Sequence, residues 1–131
     1  MTDILVPISP GELLDKITIL RIKCLRITDA TKLANVRLEL SRLEHSWTAS
    51  VPAATDLLAE EEELARVNAA LWDIEDRIRD HESEQRFDAG FIELARSVYL
   101  RNDERAAIKR RINLKLGSSI VEEKSYAEYK T

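Results

Sequence analysis

The sequence has very little backbone punctuation. Three glycines and three prolines are spread over 131 residues. The glycines stand too far apart to build a phosphate-cradling loop, a dinucleotide fingerprint or a nucleophile elbow. One cysteine, Cys24, excludes an internal disulfide. It lies on an apolar stripe with no histidine beside it, as expected of a small core residue. No hydrophobic run reaches the length of a membrane span. No Glu-x-x-His pair exists: the residue three before His45 is Arg42, and three before His81 it is Ile78. A di-metal carboxylate site of the helix-bundle kind is therefore not expected, nor is any other metal or cofactor. An excess of one charge is also missing. Twenty Lys and Arg are interleaved with 24 Asp and Glu, for a net charge of −4. Nucleic acid is not an expected partner, because no basic stripe faces a phosphate backbone. Asp3 stands where a secretory signal needs a base, and the apolar run after it is short. A soluble, cytoplasmic protein without a membrane partner is expected.

What is present favours helix. Charged residues make up 34% of the chain, and Ala, Leu, Glu, Arg and Ile dominate. The length suits one domain, residues 1–131, large enough to bury a core. Residues 1–8 read as extended: Ile4-Leu5-Val6 is a short edge strand or an apolar arm, limited by Pro7. Ser9, Pro10 and Glu12 form a helix start with a capping box, and Ile8 and Leu13 occupy staple positions. The set Leu13, Ile17, Leu20, Cys24, Ile27, flanked by Leu14, Ile19, Ile22 and Leu25, marks the first helix as the most buried. A second helix starts near Thr31, carries Leu33, Val36, Leu40, Leu43 and Trp47, and ends before Pro52. A third begins at Thr55 or Asp56 with Glu60-Glu61-Glu62-Glu63 near its N-terminus, where the helix dipole tolerates acids. It continues to about residue 85. Asp88 caps a fourth, which runs to Leu116 and stops at Gly117. Residues Ser118–Thr131 form a tail that partly packs.

Four amphipathic helices with short turns give an all-α, up-down-up-down four-helix bundle. The second hairpin is the longer: roughly 28–31 residues per helix against roughly 18–20, at 1.5 Å of rise per residue. Folding about residue 87 sets Arg101 beside Asp73 and Arg105 beside Ala69. Beyond the end of the first helix, Ile74, Ile78, Phe87, Phe91, Leu94 and Val98 lack a covering helix. A second copy in a two-fold dimer is expected to cover them. The alternative is that the N-terminal arm or the C-terminal tail does so.

The fourth helix interrupts its own apolar stripe. Phe91, Leu94 and Val98 are followed by Arg101 and Arg105 before Ile108 and Ile112 resume it. Two guanidiniums on an inner stripe need neutralising partners. One reading is a structural layer in which they pair with Glu75, Asp76 and Asp103. The other is a pocket for a small anionic metabolite between the third and fourth helices. There Arg101 and Arg105 act as donors, Asn102 and Asn68 as orienting amides and Trp72 as a wall, with Glu75 alongside. Asp15 and Lys16 read as a solvated pair. Asp73–Arg77 and Glu75–Arg79 read as four-apart pairs that support the third helix.

Several strings together carry a resemblance. They are Pro7-Ile8-Ser9-Pro10-Gly11-Glu12-Leu13-Leu14-Asp15-Lys16-Ile17-Thr18-Ile19-Leu20; Val67-Asn68 with Leu71-Trp72-Asp73-Ile74-Glu75-Asp76; Ala95-Arg96-Ser97-Val98-Tyr99 with Arg101-Asn102-Asp103 and Arg105; and Glu122-Glu123-Lys124-Ser125-Tyr126. Over nearly its whole length the chain resembles a family of short, uncharacterised bacterial proteins catalogued as a domain of unknown function. The resemblance implies a stand-alone or fused helical module and brings no catalytic residues with it. Small all-helical chorismate mutases invite comparison through Lys16, Arg21, Arg101 and Arg105. The basic residues of the first two helices do not follow that family's spacing, and its Arg-Glu pair opening the second helix is missing. Two functional classes follow: a homodimeric module that binds or scaffolds another protein, and a binding protein or small enzyme for an anionic metabolite.

Overall fold

The computed structural model describes residues 1–129 and forms four helices: α1 (Pro10–Arg26), α2 (Ala30–Ser50), α3 (Leu58–Ser83) and α4 (Ala89–Lys115). No strand occurs among the described residues, and Ile4-Leu5-Val6 is an exposed arm. The last two positions of the expected tail, Lys130 and Thr131, lie outside the described residues.

The helix ends follow local chemistry. Ser9 Oγ accepts from the Glu12 amide at 3.2 Å, and Pro10 sits in the first turn. The capping box is only half made. The Glu12 carboxylate turns away from the Ser9 amide to Lys109 and Lys16, because an ammonium is a stronger partner for a carboxylate than a neutral amide. Asp29 and Asp88 cap α2 and α4 by accepting from the Lys32 and Phe91 amides. α3 starts later than its sequence suggests. Leu57 precedes it with its side chain buried in the core, so packing takes precedence over capping there. α3 and α4 end in the same Schellman geometry: Arg86 donates to the His81 carbonyl and Ser118 to that of Asn113. The left-handed residue is Gly117 in one case and Gln85, at φ 53°, in the other.

α1 is the central element. It packs against α2, α3 and α4, whereas α2 packs against α1 alone. The sequence marks α1 as the most buried helix, and it carries the most buried residues. α2 has none. The core gathers Leu14, Leu57, Leu64, Val67, Ile108 and Ile112, with Trp47, Leu71 and Leu116 packed against it. The second apolar flank of α1 is only partly buried: Ile22 is inside, but Leu25 is 86% exposed. Cys24 is half-buried.

The α3–α4 hairpin is the longer one, as its residue count requires. Arg111 pairs with Glu63, and Lys115 with Glu60 at 2.6 Å, which fixes a fold about residue 87. α1 ends level with Asp73, where Arg26 pairs with that residue. α3 therefore continues for about ten further residues, or ~15 Å at 1.5 Å per residue.

α1 and α4 approach closely at Gly11. Its amide donates to Asn113 Oδ1 at 2.7 Å. A Cβ there would stand 2.5 Å from the Lys109 carbonyl oxygen and 2.9 Å from Asn113 Oδ1. Gly11→Ala must push the two helices apart and is expected to destabilise the fold by about 1–3 kcal/mol. Urea denaturation followed by circular dichroism measures this, and a change below about 0.5 kcal/mol, the range of an ordinary surface substitution, would show that the approach is not constrained.

Candidate functional site

The face that α1 turns toward α4 carries Gly11, Asp15 and Thr18, one helical repeat after another. Asp15 is completely buried. A carboxylate in that position needs both a countercharge and hydrogen bonds to its oxygens. Arg105 of α4 supplies the first: its Nε donates to Asp15 Oδ1 at 2.8 Å and its Nη2 to Oδ2. Asn68 of α3 supplies a further donor, with Nδ2 2.9 Å from Asp15 Oδ1 and 3.0 Å from Thr18 Oγ1. Thr18 Oγ1 in turn donates to the Asp15 carbonyl. Three helices thus meet on one carboxylate. The Asp15 hydrogen bond holds the Arg105 guanidinium above its ordinary pKa against the effect of burial.

One turn along α4, Lys109 extends the layer. Its ammonium lies 2.6 Å from Glu12 and 2.9 Å from Glu122, and its side chain is 10% exposed. Burial opposes its charge, but the two carboxylates outweigh burial and raise its pKa. The same contact with Lys109 lowers the pKa of Glu122.

Of the residues the sequence singles out, Arg105 and Asn68 converge, and they do so on Asp15. Asp15 is not a solvated partner of Lys16; it is buried, and Lys16 reaches Glu12 at 3.6 Å instead. The others lie apart. Arg101 is bridged to Glu104 at 3.2 Å, not to Glu75, Asp76 or Asp103. Asn102 is half-buried beside it in sequence. Trp72 lies under the Arg26 guanidinium, 5.9 Å from its ring centroid. Glu75 is exposed and faces Arg79 at 3.4 Å. Arg101 opens onto a groove of about 510 Å³ between α3 and α4, which Arg66 and Arg111 also line. Arg66 has no ion pair among the described residues.

Asp15, Thr18, Glu12, Lys109, Gly11 and Asn113 are members of this layer that the stripe on α4 alone does not reveal. A signal exists for those on α1. Gly11, Asp15 and Thr18 share a side of the helix with Leu14 and Ile22, opposite the Leu13-Ile17-Leu20 stripe, and a helix with apolar residues on two opposite sides buries the polar residues among them.

Beyond the layer the hairpin is only partly covered: Leu94, expected to lack cover, is buried within the single chain, Ile74, Ile78, Phe91 and Val98 are half-buried, and Phe87 and Ile92 are exposed. No residue from Ile74 to Glu93 is buried, although Ile74, Ile78, Phe87, Phe91 and Ile92 lie there. The N-terminal arm does not reach it: Asp3 pairs with Arg42, and Ile4 and Leu5 line a groove with Leu38 and Leu43 of α2. The C-terminal segment turns at Gly117 and runs back along α4 as far as Tyr129, whose hydroxyl donates to Asp103 at 2.7 Å beside the Tyr99 ring.

The chain belongs to the family of unknown function DUF6165, whose model matches residues 4–130. No curated protein and no solved structure matches it. The matched span includes Asp15, Asn68, Arg105, Lys109 and the tail that carries Glu122.

Arg105→Met leaves the Asp15 carboxylate buried without a countercharge and is expected to cost about 3–5 kcal/mol. Asp15→Leu combined with Arg105→Met removes both charges and should recover part of that loss. The comparison is made by urea denaturation of the two variants and the parent. Equal stability of parent and single variant would mean that the pair does not hold the helices.

Proposed function

We propose that this family member acts as a homodimeric interaction or scaffold module, with its 131 residues forming one cytoplasmic helical domain. A second copy covers the overhanging α3–α4 hairpin. The observation that carries this reading is the run from Ile74 to Glu93, which holds five large apolar side chains and no buried residue. Two helices in contact only with each other expose one flank of their apolar seam. Folded protein surfaces rarely leave such a seam to water. Neither the N-terminal arm nor the described part of the tail lies over it. Two hairpins related by a two-fold axis bring four helices together at the level where each chain has only two, and the patch needs no complement but itself.

Light scattering at micromolar concentration is expected to give about twice the 15.0 kDa of one chain. Ile92 is exposed, 56% of it accessible, so Ile92→Glu costs the single chain little. That variant should run at the single-chain mass with its helical circular dichroism unchanged. Parent protein at the single-chain mass would refute the dimer.

A second reading rests on the α3–α4 groove. Arg66, Arg101 and Arg111 line it, against Glu63 and Glu104, and Arg66 has no partner among the described residues. The excess of guanidinium suits a small phosphorylated or carboxylated metabolite. Thermal-shift screening with anionic metabolites tests it. Stabilisation by a metabolite should vanish in Arg101→Met and Arg66→Met, both of which alter exposed or half-exposed side chains. Stabilisation that survives both changes would place the ligand elsewhere.

A further inference from the structure

The helices leave one positive charge around Lys109 that they do not neutralise themselves. Lys16, Arg105 and Lys109 bring three cations to the α1–α4 seam, and Glu12 and Asp15 bring two carboxylates. Asp15 is engaged by Arg105 and Asn68. Glu12 is divided between Lys16 and Lys109. The third carboxylate comes from outside the bundle. Glu122 belongs to a segment without helix or strand, and it meets Lys109 at 2.9 Å. The two partners differ sharply. The Lys109 side chain is 10% exposed and built into the bundle, whereas that of Glu122 is 50% exposed.

The rest of the segment continues the same track along α4. Glu123 faces Arg110 at 3.6 Å. Tyr129 then sets its ring 5.2 Å from that of Tyr99 and its hydroxyl on Asp103. The side of α4 that the tail follows, from Tyr99 to Arg110, thus offers two cations at one end, Lys109 set into the bundle and Arg110 exposed, and an aromatic ring beside an acceptor at the other. A small anion would use the first end alone. A peptide with two adjacent acids and a later tyrosine uses both.

We propose that Lys109 and Arg110, with Tyr99 and Asp103, form a binding track for an acidic peptide segment of a partner protein, and that the chain's own tail fills this track in cis through Glu122, Glu123 and Tyr129. A partner segment of that pattern displaces the tail. This inference does not depend on the dimer reading, because the track lies on a different part of α4 from the overhanging hairpin.

The test uses full-length protein and a dye-labelled synthetic peptide of residues 118–129, followed by fluorescence anisotropy. In the parent the tethered tail competes at an effective concentration of about millimolar. Releasing it with Glu122→Gln and Tyr129→Phe together is expected to strengthen peptide binding about tenfold. Adding Lys109→Met to the released variant should abolish that gain. The peptide itself, made with Gln in place of both Glu122 and Glu123, should fail to bind the released variant, which keeps the result informative where Lys109→Met loses helicity. Peptide binding that is no tighter in the released variant than in the parent, or that is indifferent to the two carboxylates of the peptide, would overturn the proposal.

Discussion

The buried carboxylate of Asp15 is the constraint around which the other elements are arranged. It sits on the central helix with none of its surface in water, and donors from two other helices converge on it. The net contribution of such a pair to stability is small, because desolvation offsets most of the Coulombic gain. A shift of α4 by one turn would part Asp15 from Arg105, Lys109 from Glu12 and the Gly11 amide from Asn113. Gly11 makes the arrangement reachable, since any side chain there would meet the α4 backbone before Asp15 met Arg105.

The acidic run at the start of α3 has a related role. Its position near a helix N-terminus is enough to make four successive glutamates tolerable. The structure also distributes them. Glu60 meets Lys115, Glu61 meets Arg21 and Glu63 meets Arg111. These pairs are mostly exposed on at least one side, so each contributes little energy. They agree on one register between α3 and its neighbours, and that agreement matters more than their individual strengths. α2 has no such ties to α3 or α4. It packs on α1 alone, where Glu44 lies 3.5 Å from Arg21, and it buries no residue of its own, so it has the least to lose when the structure opens locally.

α4 divides into two halves with different needs. Its N-terminal half belongs to the overhanging hairpin, where a seam of apolar residues lies beside water. Its C-terminal half carries the cations that tie α1 and the returning tail to the bundle. The dimer reading concerns the first half and the peptide track the second. Arg101 stands between them, bridged to its own neighbour Glu104 and facing the groove that α3 and α4 share.

Much of the fold is legible in the order of residues. Ser9-Pro10, Asp88, Pro52 and Gly117 mark helix boundaries through backbone chemistry that needs no tertiary partner. The level of each residue along the bundle also follows from counting, because every helical residue adds the same rise. That is why a fold about residue 87 and an overhanging hairpin are correct. The direction in which each side chain points is a different matter. Arg105 lies at the level of Ala69 but turns to α1, and Arg101, one turn away, turns to the groove between α3 and α4. A rotation of about 100° per residue makes the facing partner depend on where the neighbouring helix sits. α1 reaches Arg105 only because Gly11 lets it lie so close. The sequence by itself settled the elements, most of their ends and their heights. Only the packed structure decided which charges meet, because contact depends on azimuth and spacing between helices, and neither is encoded within any single one of them.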